Sequence, residues 1–302
     1  MKILIAGGTG FLGRALRQKL LAAGHEVTVL TRKVRVSPNK KERFVAWDAK
    51  TPGDWADCLE GADAVINLAG ENIASARWTP VRKRVLLSSR VDATRAIVTV
   101  LQTVREKPAL LISASAVGYY GDVPEVPLTE ANAAGEGFLA EICARWEDEA
   151  RKAESSGIRV VLVRLGPVLG EKGGLLSRMV PAFRFFMGAI PGTGRQWISW
   201  IHQEDVAGAL LFLIGREDLS GPFNLTSPEP ATLKTFCAAL AKVLGRPRGF
   251  PVPGFLLGVF LGEMSAMVLS SQKAFPEKLL RAGYRFRHPD LREALGSILE
   301  RR

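Results

Sequence analysis

Gly7, Gly10 and Gly13 recur at three-residue spacing directly behind the apolar run Ile3-Leu4-Ile5-Ala6, with Phe11 and Leu12 between the last two. Glycines so spaced let the backbone approach a diphosphate, and a helix opening at the same point aims its unpaired N–H groups at the negative charge. A second apolar run ends in Thr31-Arg32-Lys33. NAD-selective sites usually place a carboxylate at this point to hold the adenosine ribose. Here the donors and positive charge of Thr31 and Arg32 suit a 2′-phosphate, which favours NADP(H). A third apolar run ends in Asn67-Leu68-Ala69-Gly70, whose small residues allow a dinucleotide to lie close.

These residues need a scaffold that brings strand ends together. Strands are expected at 2–6, 26–30, 64–68, 109–114 and 159–164. The nearly continuous apolar runs at 65–68 and 160–163 fit parallel strands covered on both faces. Helices are expected at 12–23, at 80–107 with a break near Ser88-Ser89, and at 137–156. Ala93, Ile97, Val100, Leu101 and Val104 form a buried stripe on the second. The pattern is α/β, a doubly wound parallel Rossmann sheet that binds ligands outside its strands' carboxyl ends. Residues 1–170 form the NADP-binding part. Residues 171–302 form a smaller, mostly helical substrate-side lobe, from which a strand near 222–226 returns to the sheet.

The chain has 302 residues, 47% hydrophobic, with a net charge of +11. Its basic residues are scattered and accompany no aromatic ladder or zinc finger, so no specific nucleic-acid partner is expected. Cys58, Cys143 and Cys237, and His25, His202 and His288, are too dispersed for a local metal motif, so no metal is expected. No run reaches the ~18 apolar residues of a membrane span. The start at Met1 does not read as a signal peptide. Membrane insertion is not expected, and a cytoplasmic location is. The partner is a small molecule, with an anionic substrate and oligomerisation left open.

Several blocks together resemble the atypical short-chain dehydrogenase/reductase group called sugar-nucleotide epimerase-like, the SDR39U1-type epimerase family. They are Gly7 to Gly13, 67–73, Arg77-Trp78, Ser89-Arg90-Val91 with Thr94, 113–121, Trp146-Glu147, 164–170, 200–206, 221–226, 261–263 and 276–280. The resemblance spans essentially the whole chain and implies an extended-type Rossmann fold with a family-specific region at about 246–302. It implies NADP(H) on the Gly7 to Gly13 turn, Thr31, Arg32, Leu68, Ala69 and Arg90.

Short-chain enzymes pair a Ser or Thr with a Tyr and a Lys four residues later, the Lys favouring the phenolate. Ser113 and Ser115 end the fourth strand, Ser115 nearer its carboxyl edge. Anchored on Trp146-Glu147, the Tyr and Lys places fall on Leu139 and Cys143, which can do neither job. Ser115 and Tyr120 are the catalytic candidates left. Cys143 reads as an apolar filler, and Glu141 with Arg145 as an i, i+4 pair facing either solvent or cleft. His202 reads as a base or as a hinge beside an N-cap-like Asp205. Glu71, Asn72, Arg77, Trp78 and Arg82 line a substrate pocket or hold their own segment by caps and salt bridges. The expected activity is an oxidoreductase or epimerase acting on a carbonyl, hydroxyl or nucleotide-linked compound. The alternative is a non-catalytic NADP(H)-binding sensor or scaffold.

Overall fold

Alternate residues of the first strand face opposite sides, and both sides are apolar. Ile3 and Ile5 join one core while Leu4 and Ala6 join another. A strand of that kind needs helices on both faces. In the computed structural model, which describes residues 1–300, the first strand is one of seven that align in a single sheet. They are β1 (Lys2–Ala6), β2 (Glu26–Thr31), β3 (Glu42–Ala46), β4 (Ala64–Asn67), β5 (Leu110–Ala116), β6 (Arg159–Leu165) and β7 (Gly221–Leu225). Every pairing is parallel, and the order across the sheet is β7-β6-β5-β4-β1-β2-β3.

One face is covered by α1 (Phe11–Ala22), through Leu16 and Leu20, and by a helix at Gln203–Ile214, through Val206, Leu210 and Leu213. The other is covered by α2 (Pro80–Thr103), through Ala93, Ile97, Val100 and Leu101. The chain order reverses between β1 and β4, so their carboxyl ends flank the crevice where this architecture takes ligands.

α2 runs unbroken through Ser88-Ser89, contrary to the expected break. The Ser89 hydroxyl donates to Leu86 O and accepts from Glu71 N, so it satisfies itself without opening the helix. α3 (Phe138–Arg151) packs beside α2 and ends in a short 3-10 turn at Lys152–Ser156. Beyond β6, Leu176, Val180, Phe183, Trp200, Phe236, Leu240 and Leu295 form a separate apolar core. It joins α4 (Leu176–Arg184), α6 (Leu233–Val243) and the last helix, Leu291–Leu299, while α5 (Gln203–Ile214, named above) stays with the core of the sheet. No helix among the described residues is long and apolar enough to cross a membrane.

Candidate functional site

The turn after β1 works only with glycine. Gly7 has φ +77°, and a Cβ there would stand 2.6 Å from Leu68 O. A Cβ on Gly13 would meet Gly7 O at 2.4 Å and Gly8 Cα at 2.5 Å. The turn is therefore pressed against both the end of β4 and the first turn of α1. Gly10 is exposed and its amide donates to Gly7 O (3.0 Å). It is the N-cap of α1 and offers no capping side chain, and the first turn carries no acid. The leading amides of this helix thus present an uncompensated positive end at the crevice, the electrostatic complement of a diphosphate.

Phe11 packs its ring on the glycines just beyond β6. A Cβ on Gly170 would lie 2.6 Å from its ring, and one on Gly173 2.5 Å. Gln203 Nε2 also donates to Phe11 O (3.0 Å). Leu12 is half-buried against the sheet's core.

At the end of β2, Thr31 and Arg32 part company. Thr31 is buried, and its hydroxyl bonds the backbone N and O of Lys33 (3.3 Å each). Arg32 is exposed, with Nη1 3.6 Å from the Glu71 carboxylate. Glu71 also faces Arg82 at 3.5 Å, and Arg82 Nη2 donates to Asn72 O and Ser75 Oγ. Arg77 Nη2 donates to Val259 O (2.6 Å), and Trp78 Nε1 to Ile73 O. The 71–82 segment is thereby held by its own charges and caps, and Arg77 and Ala74 also tie it to the C-terminal region through Val259 and Arg178.

Asn67 ends β4 by accepting from Ala69 N (3.1 Å) and donating to Thr94 Oγ1 (2.8 Å). This bends the chain at Leu68, Ala69 and Gly70 toward the glycine turn. Beneath Gly70 lies Arg90, whose side chain a Cβ on Gly70 would touch at 3.2 Å. Its guanidinium donates to Leu86 O and Glu71 O (2.9 and 3.0 Å) and lies 5.3 Å over the Trp146 ring. Burial pushes its pKa down, while its attraction to Cys143 and Glu71 opposes that shift.

Ser115 and Tyr120 belong to one buried polar chain. The Ser115 hydroxyl donates to Glu147 Oε1 (2.7 Å), and the Glu147 carboxylate receives Arg164 through both oxygens. Arg164 Nη1 donates to the Tyr120 hydroxyl (3.0 Å), which donates to Asn224 Oδ1 (2.7 Å). Ser115 and Tyr120 are only 2% and 1% exposed. Burial pushes the Tyr120 hydroxyl up to about 12, far from a group that exchanges protons at neutral pH. Neighbouring Ser113 is buried, and its hydroxyl has no hydrogen-bond partner among the described residues.

The places expected for the Tyr and Lys lie beside this chain. Leu139 packs on Gly118, directly after β5. Cys143 is buried, and desolvation pushes its thiol up to about 11. Glu141 and Arg145 form an exposed 2.8 Å ion pair that faces solvent.

His202, Glu204 and His288 each bring one potential ligand atom within 4.8 Å of the others. The N-cap of α5 is His202 itself, not Asp205, since its Nδ1 accepts from Glu204 N (3.0 Å). His202 Nε2 lies 3.4 Å from Ser297 Oγ, and His288 Nε2 lies 3.4 Å from Glu204 Oε2. Buried Asp205 accepts from Arg287 N and His288 N (2.7 and 3.0 Å), tying the C-terminal segment to α5.

Known proteins are similar to this chain in sequence and fold. Residues 3–225 match the model of the NAD dependent epimerase/dehydratase family, and residues 252–298 match a domain of unknown function, DUF1731. The epimerase family protein YfhF of Bacillus subtilis is 42% identical over 300 residues, 99% of this chain and 98% of its own. The crystal structure of human epimerase family protein SDR39U1 (isoform 2) with NADPH is 33% identical, with TM-score 0.89 and full coverage of both chains. That of the nucleoside-diphosphate sugar epimerase from Corynebacterium glutamicum is 32% identical with TM-score 0.78, covering 99% of this chain and 58% of that one. A glycine turn on an uncapped helix, set in a parallel sheet of this order and matched over this length, leaves one assignment: the chain belongs to the NAD-dependent epimerase/dehydratase family.

Proposed function

We propose that this chain binds NADP(H) and acts as an oxidoreductase or epimerase on an unidentified hydroxyl, carbonyl or nucleotide-linked small molecule. The observation that carries the reading is the acid-free, uncapped N-terminus of α1 behind a turn that admits only glycine. The human relative's structure with NADPH supports the choice of cofactor. In this reading Gly7, Gly10, Phe11, Leu12 and Gly13 hold the diphosphate through the backbone. Arg32 binds the 2′-phosphate, and Thr31 shapes the turn that presents it. Leu68, Ala69 and Gly70 form the close-packed wall. When bound, the cofactor supplies a hydride donor or acceptor.

Arg90, beneath Gly70 and over the Trp146 ring, contacts the cofactor's pyrophosphate or ribose. Ser115 and Tyr120 act on the chemistry by position, bracing the end of β5 against α3 and β7. Paired titrations with NADPH and NADH test the reading. Arg32→Ala should weaken NADPH about 10- to 100-fold, the worth of a charge-assisted hydrogen bond, with little change for NADH. Equal loss for both cofactors, or none, removes the 2′-phosphate assignment.

A second reading, a non-catalytic NADP(H)-binding sensor or scaffold, draws on Leu139 and Cys143 at the dyad places. Substrate-dependent turnover of nicotinamide in a carbonyl and alcohol screen would exclude it. Tight binding with no turnover would favour it.

A further inference from the structure

The second lobe exposes aromatic residues on a scale that a soluble surface does not need. After α4 the chain turns through Phe185, Phe186 and Met187, which are 73%, 65% and 62% exposed. Phe186 holds φ +61°, a left-handed conformation that a bulky aromatic residue rarely adopts. Hydrogen bonds from Phe186 N to Phe183 O and from Met187 N to Ala182 O fix the turn, so these side chains are presented outward by a built backbone.

The Ala189–Pro191 strand pairs with Phe250–Val252, which sets Phe250 (56% exposed) beside this turn. The chain then enters α7 (Gly254–Leu261), an eight-residue helix with no charged residue and none buried, where Phe255 and Phe260 are 72% and 71% exposed. Each large aromatic side chain carries ~150–250 Å². Phe185, Phe186, Met187 and Phe250, each more than half exposed on one turn and the strand paired beside it, together reach the ~300–600 Å² of the largest apolar patch on a typical monomer.

The basic side chains on the elements that flank the 185–187 turn are unpaired. Arg184, Arg246 and Arg248 have no carboxylate partner among the described residues, and Arg246 lies 4.6 Å over the Phe186 ring. A second copy docked about a two-fold axis would set these arginines against themselves. Aromatic rings with an arginine rim match the apolar boundary and anionic headgroups of a lipid surface. We propose that this face docks the protein peripherally on an anionic phospholipid membrane, with the phenylalanines at the acyl boundary and the three arginines on headgroup phosphates. The inference does not depend on the NADP(H) reading.

The test is flotation of the full chain with vesicles of phosphatidylcholine alone and of phosphatidylcholine mixed with phosphatidylglycerol. The mixed vesicles should retain the protein, and added salt should release it. Arg246→Glu with Arg248→Glu should reduce retention at least ~25-fold, since each lost cation is worth about fivefold. Phe186→Gly, which suits the positive φ and so keeps the fold, should weaken retention on its own, as should Phe185→Ser. Circular dichroism and thermal melting should match wild type. Equal retention of these variants, or none of the wild type on either vesicle, overturns the proposal. So does sedimentation showing a wild-type dimer that Phe186→Gly turns into a monomer, because a second copy would then own the face.

Discussion

Arg164 and Glu147 meet as a two-pronged ion pair, Nε to Oε1 at 2.8 Å and Nη2 to Oε2 at 2.9 Å, with both side chains 2% exposed. Such a pair survives burial because every strand and helix end near it contributes a partner. Ser115 on β5 donates to the same carboxylate, and the Tyr120 hydroxyl and Glu130 O accept from the guanidinium. The Tyr119 ring lies 3.5 Å from the guanidinium carbon. α3, β5, β6 and the loop after β5 are thereby fixed together behind the crevice.

Removing one partner should cost far more than removing both. Arg164→Met alone leaves a carboxylate buried and unpaired, and should lower unfolding free energy by about 3–5 kcal/mol. Arg164→Met combined with Glu147→Met should recover much of that loss. Urea unfolding of the two single variants and the double variant measures the difference. A double variant as unstable as the sum of the singles would show that the pair does not act as a unit.

Tyr120 gives an alkaline signature. Its folded pKa of about 12 stands above the ordinary value of 10.0, so the unfolded chain loses the proton first as pH rises. The contribution is fully present below pH 10 and declines through 10–12, by about 2–3 kcal/mol in all. Tyr120→Phe should be less stable at pH 8, because Arg164 and Asn224 each lose a partner. Its deficit should narrow as pH climbs from 10 to 12. Unfolding free energies across that range decide it, and a constant gap would contradict the titration.

Glu71 competes for Arg32. Its carboxylate lies 3.6 Å from the guanidinium that we assign to the 2′-phosphate. Glu71→Gln should therefore tighten NADPH binding about two- to fivefold, the worth of one exposed ion pair, and leave NADH nearly unchanged. Calorimetric titration of both cofactors checks the direction.

Gly13→Ala should separate binding from folding. The added Cβ meets backbone on both sides of the turn, so the turn must open. We expect about 1–3 kcal/mol of lost stability and at least ~10-fold weaker NADPH binding. A variant that binds normally would place the cofactor elsewhere.

The parts of the fold that were legible in the sequence are those governed by local pattern. β1, β4 and β6 are continuous apolar runs, and the glycine spacing marks the crevice. β3 escaped notice because Glu42 and Arg43 begin it and its five residues are half-buried or exposed at the sheet edge. The buried chain through Ser115 was not legible. Glu147 and Arg164 are 17 residues apart, Tyr120 and Asn224 are 104 apart, and no spacing rule joins them. Burial also changes what the residue types mean: Ser115 and Tyr120 are catalytic candidates by type and place, and the structure holds both hydroxyls in buried hydrogen bonds. His202 was read beside a capping Asp205, whereas the ring itself caps α5 and the carboxylate is drawn to a segment 82 residues away.

The sheet is not complete until β7 arrives from beyond the second lobe's first helices. During synthesis, β6 therefore stays an unpaired edge of nearly pure Val and Leu until Leu225 has left the ribosome. Such an edge invites pairing with other chains. Cutting the protein after β6 to isolate a cofactor-binding half should yield an aggregating fragment. The two lobes are separate in outline but inherit their stability jointly.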